Sequence, residues 1–445
     1  MHAGPGSAIT EPDVENPYDV FPYRSSPIDW TAPERLAACS ALHGGPQPSL
    51  SGYRVLELGC GDGANLLPMA FYRRGAEFVG VDSSRFAIGR AEERRRELGL
   101  SNVRFIGADF AAAAAELSGS FEFIIAHGVV SWVSVAAREQ LLSLCAERLA
   151  RGGLVYLNYN TRPGWTVRGM VRESLLAHTA HIPGLRERAA AARQVAASVA
   201  ASLAGVDHPY SQLLSREYAF VAAADPTYVA HEFLAPENQA FWRSEFAALA
   251  GRWGLTFVAD ADFNYETGRL PRAAADELGP CGLTGLAPGD ALDLLTYRQL
   301  HSPIFTNAPA SAERGPFASW FMASPLVALS SGVHADGASP LWLFRHPSGY
   351  EVDVKEELLA RALQAVAPLW PRGVRLVELL PDVRPVAEDL RLLHQHGLLE
   401  LRLVEPAVTE AAPALRAREE RWGGYYTSPH HARHSVAARG SAQET

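Results

Sequence analysis

The chain has 445 residues, room for two or three domains, and 48% of them are hydrophobic, which provides for real cores and excludes wholesale disorder. Forty basic residues against 49 acidic leave a net charge of −9, the wrong balance for a general nucleic-acid binder, which presents a basic face to phosphates. No apolar run is long enough to cross a bilayer, Met1–Ser7 is no signal peptide, and Cys39, Cys60, Cys145 and Cys281 form no Cys-x-x-Cys pair, so the expectation is a cytoplasmic protein with reduced thiols and no membrane partner.

Residues 1–17 are rich in Gly and Pro and are expected to be mobile. Tyr18 to Trp30 is aromatic and interrupted by Pro22 and Pro27, which predicts an extended segment. Thr31-Ala32-Pro33-Glu34 then starts a helix, with threonine as the cap and proline in the first turn. The segment that follows is the most informative. Val55-Leu56-Glu57-Leu58 leads into Gly59, Gly61 and Gly63, and Ala64–Arg74 is amphipathic: a strand, a glycine turn and a helix. Glycines serve there because the backbone turns sharply and approaches a ligand with no Cβ between them. Gly59-x-Gly61-x-x-Ala64 fits a dinucleotide fingerprint, and Glu57-x-Gly59-x-Gly61-x-Gly63 fits an S-adenosylmethionine loop.

Two further acids separate these readings. Phe78–Asp82 is a second strand ending in a carboxylate, nineteen residues past Gly63, able to accept both hydroxyls of an adenosine ribose. Val103–Phe110 is a third strand ending in Asp109 with Phe110 beside it, suited to the amine and the face of an adenine, which a dinucleotide site does not require. Solvated acids at strand ends occur in any α/β protein, but three at this spacing after a glycine turn point to S-adenosylmethionine and a class I methyltransferase.

Ala111–Leu117 is a short helix, Phe121–Ala126 a fourth strand, Ala136–Leu149 a helix closed by Gly152-Gly153, and Leu154–Asn160 a fifth strand. Alternating strands and helices in this order give a parallel sheet covered on both faces. Asn238–Trp253 and Leu255–Ala259 read as the fold's last helix and sixth strand, which makes Thr166 to about Ala235 a helical insertion over the active-site edge, with Arg186–Leu203 as a long helix. Leu270–His301 is helical and Gly315–Ser339 loop-rich; Glu351–Ala367 and Arg384–His396 are helices and Leu399–Leu403 a strand. The expected fold is α/β: a Rossmann-like sheet with an N-terminal lid (1–165), a helical insertion and middle domain (166–305), and a small winged-helix-like α+β C-terminal domain with a tail (310–445). Lys355 is the only lysine, and Arg94-Arg95-Arg96, among Glu92, Glu93 and Glu97, reads as a solvated helix face.

Details outside the glycine loop carry a resemblance. They are Tyr18–Pro27 with Thr31-Ala32-Pro33, Ala126–Val133, Tyr159-Asn160-Thr161-Arg162-Pro163-Gly164-Trp165, Asp207-His208-Pro209-Tyr210 and His231-Glu232-Phe233-Leu234. Over roughly residues 18–305 the chain is similar to bacterial methyltransferases with a methyltransferase regulatory domain, of which the rickettsial-type protein lysine methyltransferases are the best understood. It departs from them at Ala32 and Thr166, where the family has histidines, and at Tyr297–His301, where an arginine-rich segment is thinned. The resemblance implies N-methylation of a protein or peptide side chain. A small-molecule natural-product methyltransferase and a non-catalytic S-adenosylmethionine- or partner-binding module are the alternatives.

Cofactor contacts are expected from Glu57, Gly59, Cys60, Gly61, Asp62, Gly63, Asp82, Ser83, Asp109, Phe110 and His127. After the fourth strand, amino-methyltransferases of DNA and glutamine place Asn/Asp-Pro-Pro-Tyr/Phe. His127-Gly128-Val129-Val130 stands here instead and disfavours those substrates. His127 can accept a proton, orient a carbonyl or contact the cofactor. Tyr18, Tyr23, Trp132, Tyr159 and Trp165 can surround a cationic acceptor, although any one of them can equally pack a lid onto the core. His127, Trp132, Tyr23 and Tyr159 are the candidate catalytic residues, with either Asn158 or Asn160 expected to orient the substrate or the methionine end of the cofactor. His430-His431-x-x-His434 lacks a nearby acid or cysteine and reads as a polar tail, so no metal is expected.

Overall fold

A computed structural model describes residues 16–23, 25–261, 287–309, 319–332, 341–370 and 372–404. Residues 1–15, Cys281 and the tail histidines lie outside the described residues.

The seven strands of the main sheet are β1 (Arg54–Leu58), β2 (Glu77–Asp82), β3 (Val103–Gly107), β4 (Phe121–Ala126), β5 (Leu149–Leu157), β6 (Thr256–Asp260) and β7 (Pro303–Thr306). Their order is β3-β2-β1-β4-β5-β7-β6, with β1 to β5 parallel and β7 antiparallel to both of its neighbours. Strand side chains alternate between faces, and here both faces are buried. Val55, Phe78, Phe123, Ile125 and Tyr156 pack on one side, while Leu56, Val79, Ile124, Val155 and Phe305 pack on the other. The first face is covered by α1 (Pro33–Leu42) and α2 (Leu66–Tyr72), and between β2 and β3 runs α3 (Arg85–Glu97). The second is covered by α4 (Phe110–Glu116) and α5 (Val135–Arg148), and also by the late helix Arg243–Gly251.

β7 is not among the predicted strands, and it straddles the end of the span 166–305 expected for the middle domain. It is four residues long and opens on Pro303, and its partners lie about 50 and 150 residues away, so nothing local marks it as a strand. Other expectations need correction. The N-terminal aromatic segment is not wholly extended: Pro17–Val20 forms one helical turn, capped by the Asn16 side chain, and Asp29–Thr31 a 3-10 turn. Thr31 does not cap α1. Ala32 holds that position, and the Thr31 hydroxyl donates to the Ile28 carbonyl at 2.8 Å. Gly152-Gly153 lie inside β5, where a Cβ on Gly153 would come within 3.0 Å of the Glu122 carbonyl.

The helix expected from Asn238 begins only at Arg243. Phe241 is bonded sheet-like to the fifth-strand extension, its N–H to the Asn160 carbonyl and its carbonyl from the Arg162 N–H. Leu270–His301 is described only from residue 287, where Pro288–Thr296 is helical and Leu300–His301 pairs with Tyr159–Asn160.

The insertion holds α6 (Gly164–Thr179), α7 (Leu185–Leu203) and α8 (Pro209–Ala223), followed by a π-helical turn, Val229–Phe233. Ala189, Ala192 and Ala196 on α7 are fully buried, small enough for its neighbours to approach, and pack with Val171, Leu175, Val221 and Phe233. Phe21 belongs to the same cluster, so the N-terminal segment is seated on the insertion. The C-terminal part carries two three-stranded antiparallel sheets. One joins Val374–Arg375, Phe321–Ala323 and Glu400–Arg402, and the other joins Val327–Gly332, Leu341–Arg345 and Glu351–Val354. The described part of the loop-rich segment is therefore partly strand, and the helix expected from Glu351 starts at Glu357 because Glu351–Val354 pairs with its neighbour. Its core includes Ala38, Ala41 and Leu42 of α1. Among the described residues no helix is long and apolar enough to cross a membrane.

Candidate active site

The carboxyl ends of β1, β2 and β4 open into a cavity of about 660 Å³, where open α/β sheets bind their ligands. Its walls also come from the N-terminal segment and the insertion. Gly59, Gly61 and Gly63 all have positive φ (77°, 52° and 75°), which accounts for their spacing. A Cβ on Gly59 would sit 2.4 Å from Val129 Cγ2, and one on Gly61 3.0 Å from Ser25 Oγ. Gly63 does not line the cavity; it lets Phe105 pack against the turn, with a Cβ there falling 2.9 Å from the ring.

Asp82 ties two loops together. Its Oδ2 accepts from the Gly61 N–H and its Oδ1 from the Ser84 N–H, both at 2.8 Å. Burial raises its pKa while those two donors oppose the rise. Glu57 accepts from Asn65 Nδ2 at 2.8 Å through Oε1, whereas Oε2 is buried without a partner. Burial pushes its carboxyl up to about 8. Asp62 pairs with Arg94 at 2.6 Å through Oδ2 and leaves Oδ1 buried and unpartnered. Asp109 caps α4 by accepting from the Ala112 N–H at 2.8 Å, and Phe110, Cys60 and Ser83 complete this end of the cavity. Two orphaned acceptors, a glycine turn with no room for a Cβ and a cavity-lining carboxylate fixed by two backbone N–H donors fit S-adenosylmethionine.

His127 meets Tyr156 Oη through Nδ1 at 2.9 Å and Asn158 Nδ2 through Nε2 at 3.4 Å. The Gly128 N–H donates to Asn158 Oδ1 at 2.6 Å, which turns the amide nitrogen toward the imidazole and leaves the proton on Nδ1. Burial lowers its pKa to about 4, so the ring is neutral and a weak base at neutral pH. Tyr156 in turn accepts from Trp30 Nε1 at 2.9 Å and lies 3.3 Å from Ser302 Oγ.

Trp132 lies at the other end of the cavity, edge-on to Trp165 at 5.4 Å. Tyr18 and Tyr23 line it as well. Tyr18 stacks on His231 at 4.3 Å, Tyr23 meets the same ring edge-on, and His231 Nε2 is 2.6 Å from the Phe21 carbonyl. Tyr159 forms part of the wall, but its ring is buried against Phe246 at 4.1 Å and Phe241 at 5.9 Å, as core packing. Asn160 Nδ2 is buried without a partner.

Sequence reasoning assigned no role to Arg168, Tyr228, His231 or Glu232, all of which line this end. The signal was His231-Glu232-Phe233-Leu234, but nothing in that string announces a π-turn, a feature that recurs at functional sites. The departures at Ala32 and Thr166 leave the cavity untouched. Ala32 is buried beside Tyr53 and Asn65, and Thr166 is exposed. Among the described residues no group of three or more His, Cys, Asp or Glu could hold a metal ion.

Comparison with known proteins agrees with this geometry. Residues 49–180 match a methyltransferase domain and residues 225–299 a "predicted methyltransferase regulatory domain". The chain therefore carries a class I, S-adenosylmethionine-dependent methyltransferase domain joined to a methyltransferase regulatory domain. It is similar to an uncharacterized protein of Rickettsia prowazekii, 34% identical over 264 residues, or 59% of this chain and 48% of that one. A second R. prowazekii protein, also uncharacterized, is 28% identical over 52% of this chain and 93% of its own. The chain thus spans about half the length of the first relative. Its fold is that of PKMT2 from Rickettsia typhi in complex with AdoHcy, at a TM-score of 0.71 and 22% identity over 86% of this chain and 78% of that one.

Proposed function

We propose that the chain N-methylates an amine side chain, lysine-type, on a protein or peptide acceptor. The observation that carries this reading is a single cavity with a glycine-and-carboxylate end and an aromatic end that holds an acid. It is supported by the resemblance to rickettsial-type protein lysine methyltransferases and by the fold shared with PKMT2. Glu57, Asp82, Asp109 and the Gly59–Asp62 turn would hold S-adenosylmethionine, with His127 alongside. When bound, the cofactor supplies an electrophilic methyl group on a sulfonium whose departure needs no proton. The residues of the chain therefore have three tasks: to orient the amine, to keep it unprotonated and to exclude water. His127, neutral and fixed by Tyr156 and Asn158, orients rather than shuttles protons. Buried thiols at Cys39, Cys60 and Cys145 suit a cytoplasmic setting.

Labelled cofactor offered with a cell lysate, and separately with a small-metabolite extract, tests the reading. Label is expected in protein, on nitrogen. Label confined to small molecules would transfer the assignment to the natural-product alternative, and cofactor binding without any transfer to the binding-module alternative.

Trp132→Ala is expected to lower the single-turnover rate much more than it weakens cofactor binding, because the indole shapes the acceptor end. Were Trp132 ordinary core, its loss would mainly cost stability, about 3–5 kcal/mol. Melting temperature and rate on the same variant discriminate: a large fall in Tm with normal activity per folded molecule refutes the pocket role. Deleting residues 1–28 removes Tyr18 and Tyr23 and should abolish turnover while cofactor affinity falls far less. Normal turnover by the truncated protein would exclude the segment as a lid.

A further inference from the structure

Glu232 stands on the π-turn, facing the cavity that the N-terminal segment roofs. It makes no hydrogen bond to any described residue. Among the described residues Arg168 is the cation whose charge it feels, and that guanidinium is shared with other partners, Tyr228 among them. Arg168 Nε bonds Glu217 at 2.9 Å and the group lies 4.7 Å over Phe220, while Glu217 also accepts from Tyr297 Oη at 3.0 Å and Gln299 Nε2 at 3.3 Å. Glu232 therefore faces the cavity with no hydrogen-bond donor among the described residues, and burial keeps it a neutral acid near neutral pH until a cation enters. Three phenols line the cavity near it: Tyr18 and Tyr23 from the N-terminal segment and Tyr228 from just before the turn, each held protonated by burial and by the Glu232 carboxyl group. A carboxylate without donors among aromatic rings is costly for the empty protein and complementary to an alkylammonium, which brings donors, charge and a surface for cation–π contact.

Resting on the methyl-transfer reading above, we propose that Glu232, ringed by Tyr18, Tyr23 and Tyr228, is the subsite that binds the acceptor as a primary or partly methylated alkylammonium and takes up its proton. One N–H bond breaks with its electron pair remaining on nitrogen, and one O–H bond forms on Glu232. Because burial keeps Glu232 an acid near neutral pH in the empty site, its own proton goes to solvent as the ammonium enters. The bound ammonium then becomes a neutral amine as its proton passes to the carboxylate, and after methylation the product leaves as an alkylammonium with Glu232 again an acid. Burial lifts this carboxyl to about 8, high enough to hold a proton drawn from a desolvated ammonium. His231, the other titratable ring on the turn, is lowered by burial and bonded to the Phe21 carbonyl, so it does not compete for that proton.

The test uses the full chain saturated with S-adenosylhomocysteine, so that binding is read without turnover. Nα-acetyl-lysine methylamide and its norleucine counterpart are titrated by calorimetry. The lysine probe should bind and the norleucine probe should not. Glu232→Gln should weaken the lysine probe about ten- to a hundredfold, the loss of a charge-assisted contact, and leave S-adenosylhomocysteine affinity unchanged. Equal binding of the lysine probe to both proteins, or to neither, overturns the proposal. A second measurement needs no ligand. An acid whose pKa is raised in the folded state gives its full stabilisation below about pH 4.5 and loses it as pH rises through about 8. Wild type should therefore lose Tm relative to Glu232→Gln across that window, and parallel curves count against the proposal. The two readings fail separately. Transfer to oxygen or carbon would defeat the N-methylation assignment, whereas N-methylation by Glu232→Gln with unchanged KM and pH profile would defeat only the role of Glu232.

Discussion

Asp82→Ala will lower the affinity for S-adenosylmethionine by about 2–4 kcal/mol, roughly thirtyfold to a thousandfold, as two charge-assisted hydrogen bonds are lost. The carboxylate also joins the loop after β1 to the loop after β2, one oxygen on the Gly61 N–H and the other on the Ser84 N–H, so its removal loosens the cradle as well as the ribose contact. Asp82→Asn keeps the shape and one acceptor oxygen while losing the charge, and should fall between wild type and alanine. Because burial raises the pKa of Asp82 above its ordinary value of 3.8, binding should weaken as pH falls and the carboxylate is protonated, and Asp82→Ala should lack that part of the pH dependence. Calorimetry on the three proteins checks this. Unchanged affinity in Asp82→Ala would remove the residue from the cofactor site.

The parts of this molecule that were legible in sequence are those where local pattern and global role coincide. Val55–Leu58, Phe78–Asp82 and Phe121–Ala126 are buried on both faces, and each reads as a short apolar run ended by a turn or an acid. The glycine turn was legible because three positive φ values in five residues leave little choice of residue type. What was illegible depends on partners distant in the chain. β7 exists because β5 and β6 present edges to it. Residues preceding Arg243 do not extend the helix because Phe241 is bonded to Asn160 and Arg162. The character of His127 is decided by Tyr156, 29 residues on, and by Trp30 behind it, and no periodicity reports a neutral imidazole. Glu232 reads as an ordinary polar residue until Phe21 and the insertion close over it.

The segment Tyr297–His301, where the family's arginine-rich stretch is thinned, supplies Arg298 and His301 to a buried ionic cluster. Asp260, at the end of β6, accepts from Arg298 Nη2 at 2.9 Å and His301 Nδ1 at 2.8 Å through Oδ2, and from the Ser302 N–H at 3.2 Å. His301 Nε2 meets Asp293 Oδ2 at 2.7 Å, and the side chains of Asp260, Asp293, Arg298 and His301 are no more than 2% exposed. With a carboxylate at each nitrogen the imidazole is held protonated. Burial lowers its pKa, the bonds to Asp260 and Asp293 raise it, and the carboxylates prevail. Asp260→Ala removes the carboxylate that the guanidinium and the imidazolium share, in a place water does not reach, and is expected to destabilise the fold by about 3–5 kcal/mol.

The cluster adjoins the cavity wall at Tyr159, whose ring lies 5.5 Å from His301, and at Leu300, whose carbonyl accepts from Arg298 Nε, and it reaches His127 through Ser302 and Tyr156. Cofactor affinity per folded molecule should therefore change less than the orientation of His127 and of the Tyr159 wall. Denaturant unfolding gives the stability, and calorimetry on the folded fraction gives the affinity. A histidine whose pKa is raised on folding contributes its full stability below about 6.5 and loses it as pH rises through the folded value. Wild type should therefore weaken in alkaline solution, and His301→Gln should lack that decline. If Asp260→Ala unfolded at the denaturant concentration of wild type, the cluster would not be the ionic tie between β6 and β7, and backbone pairing with β5 and β6 together with the packing of Ile304 and Phe305 would hold the antiparallel strand in place.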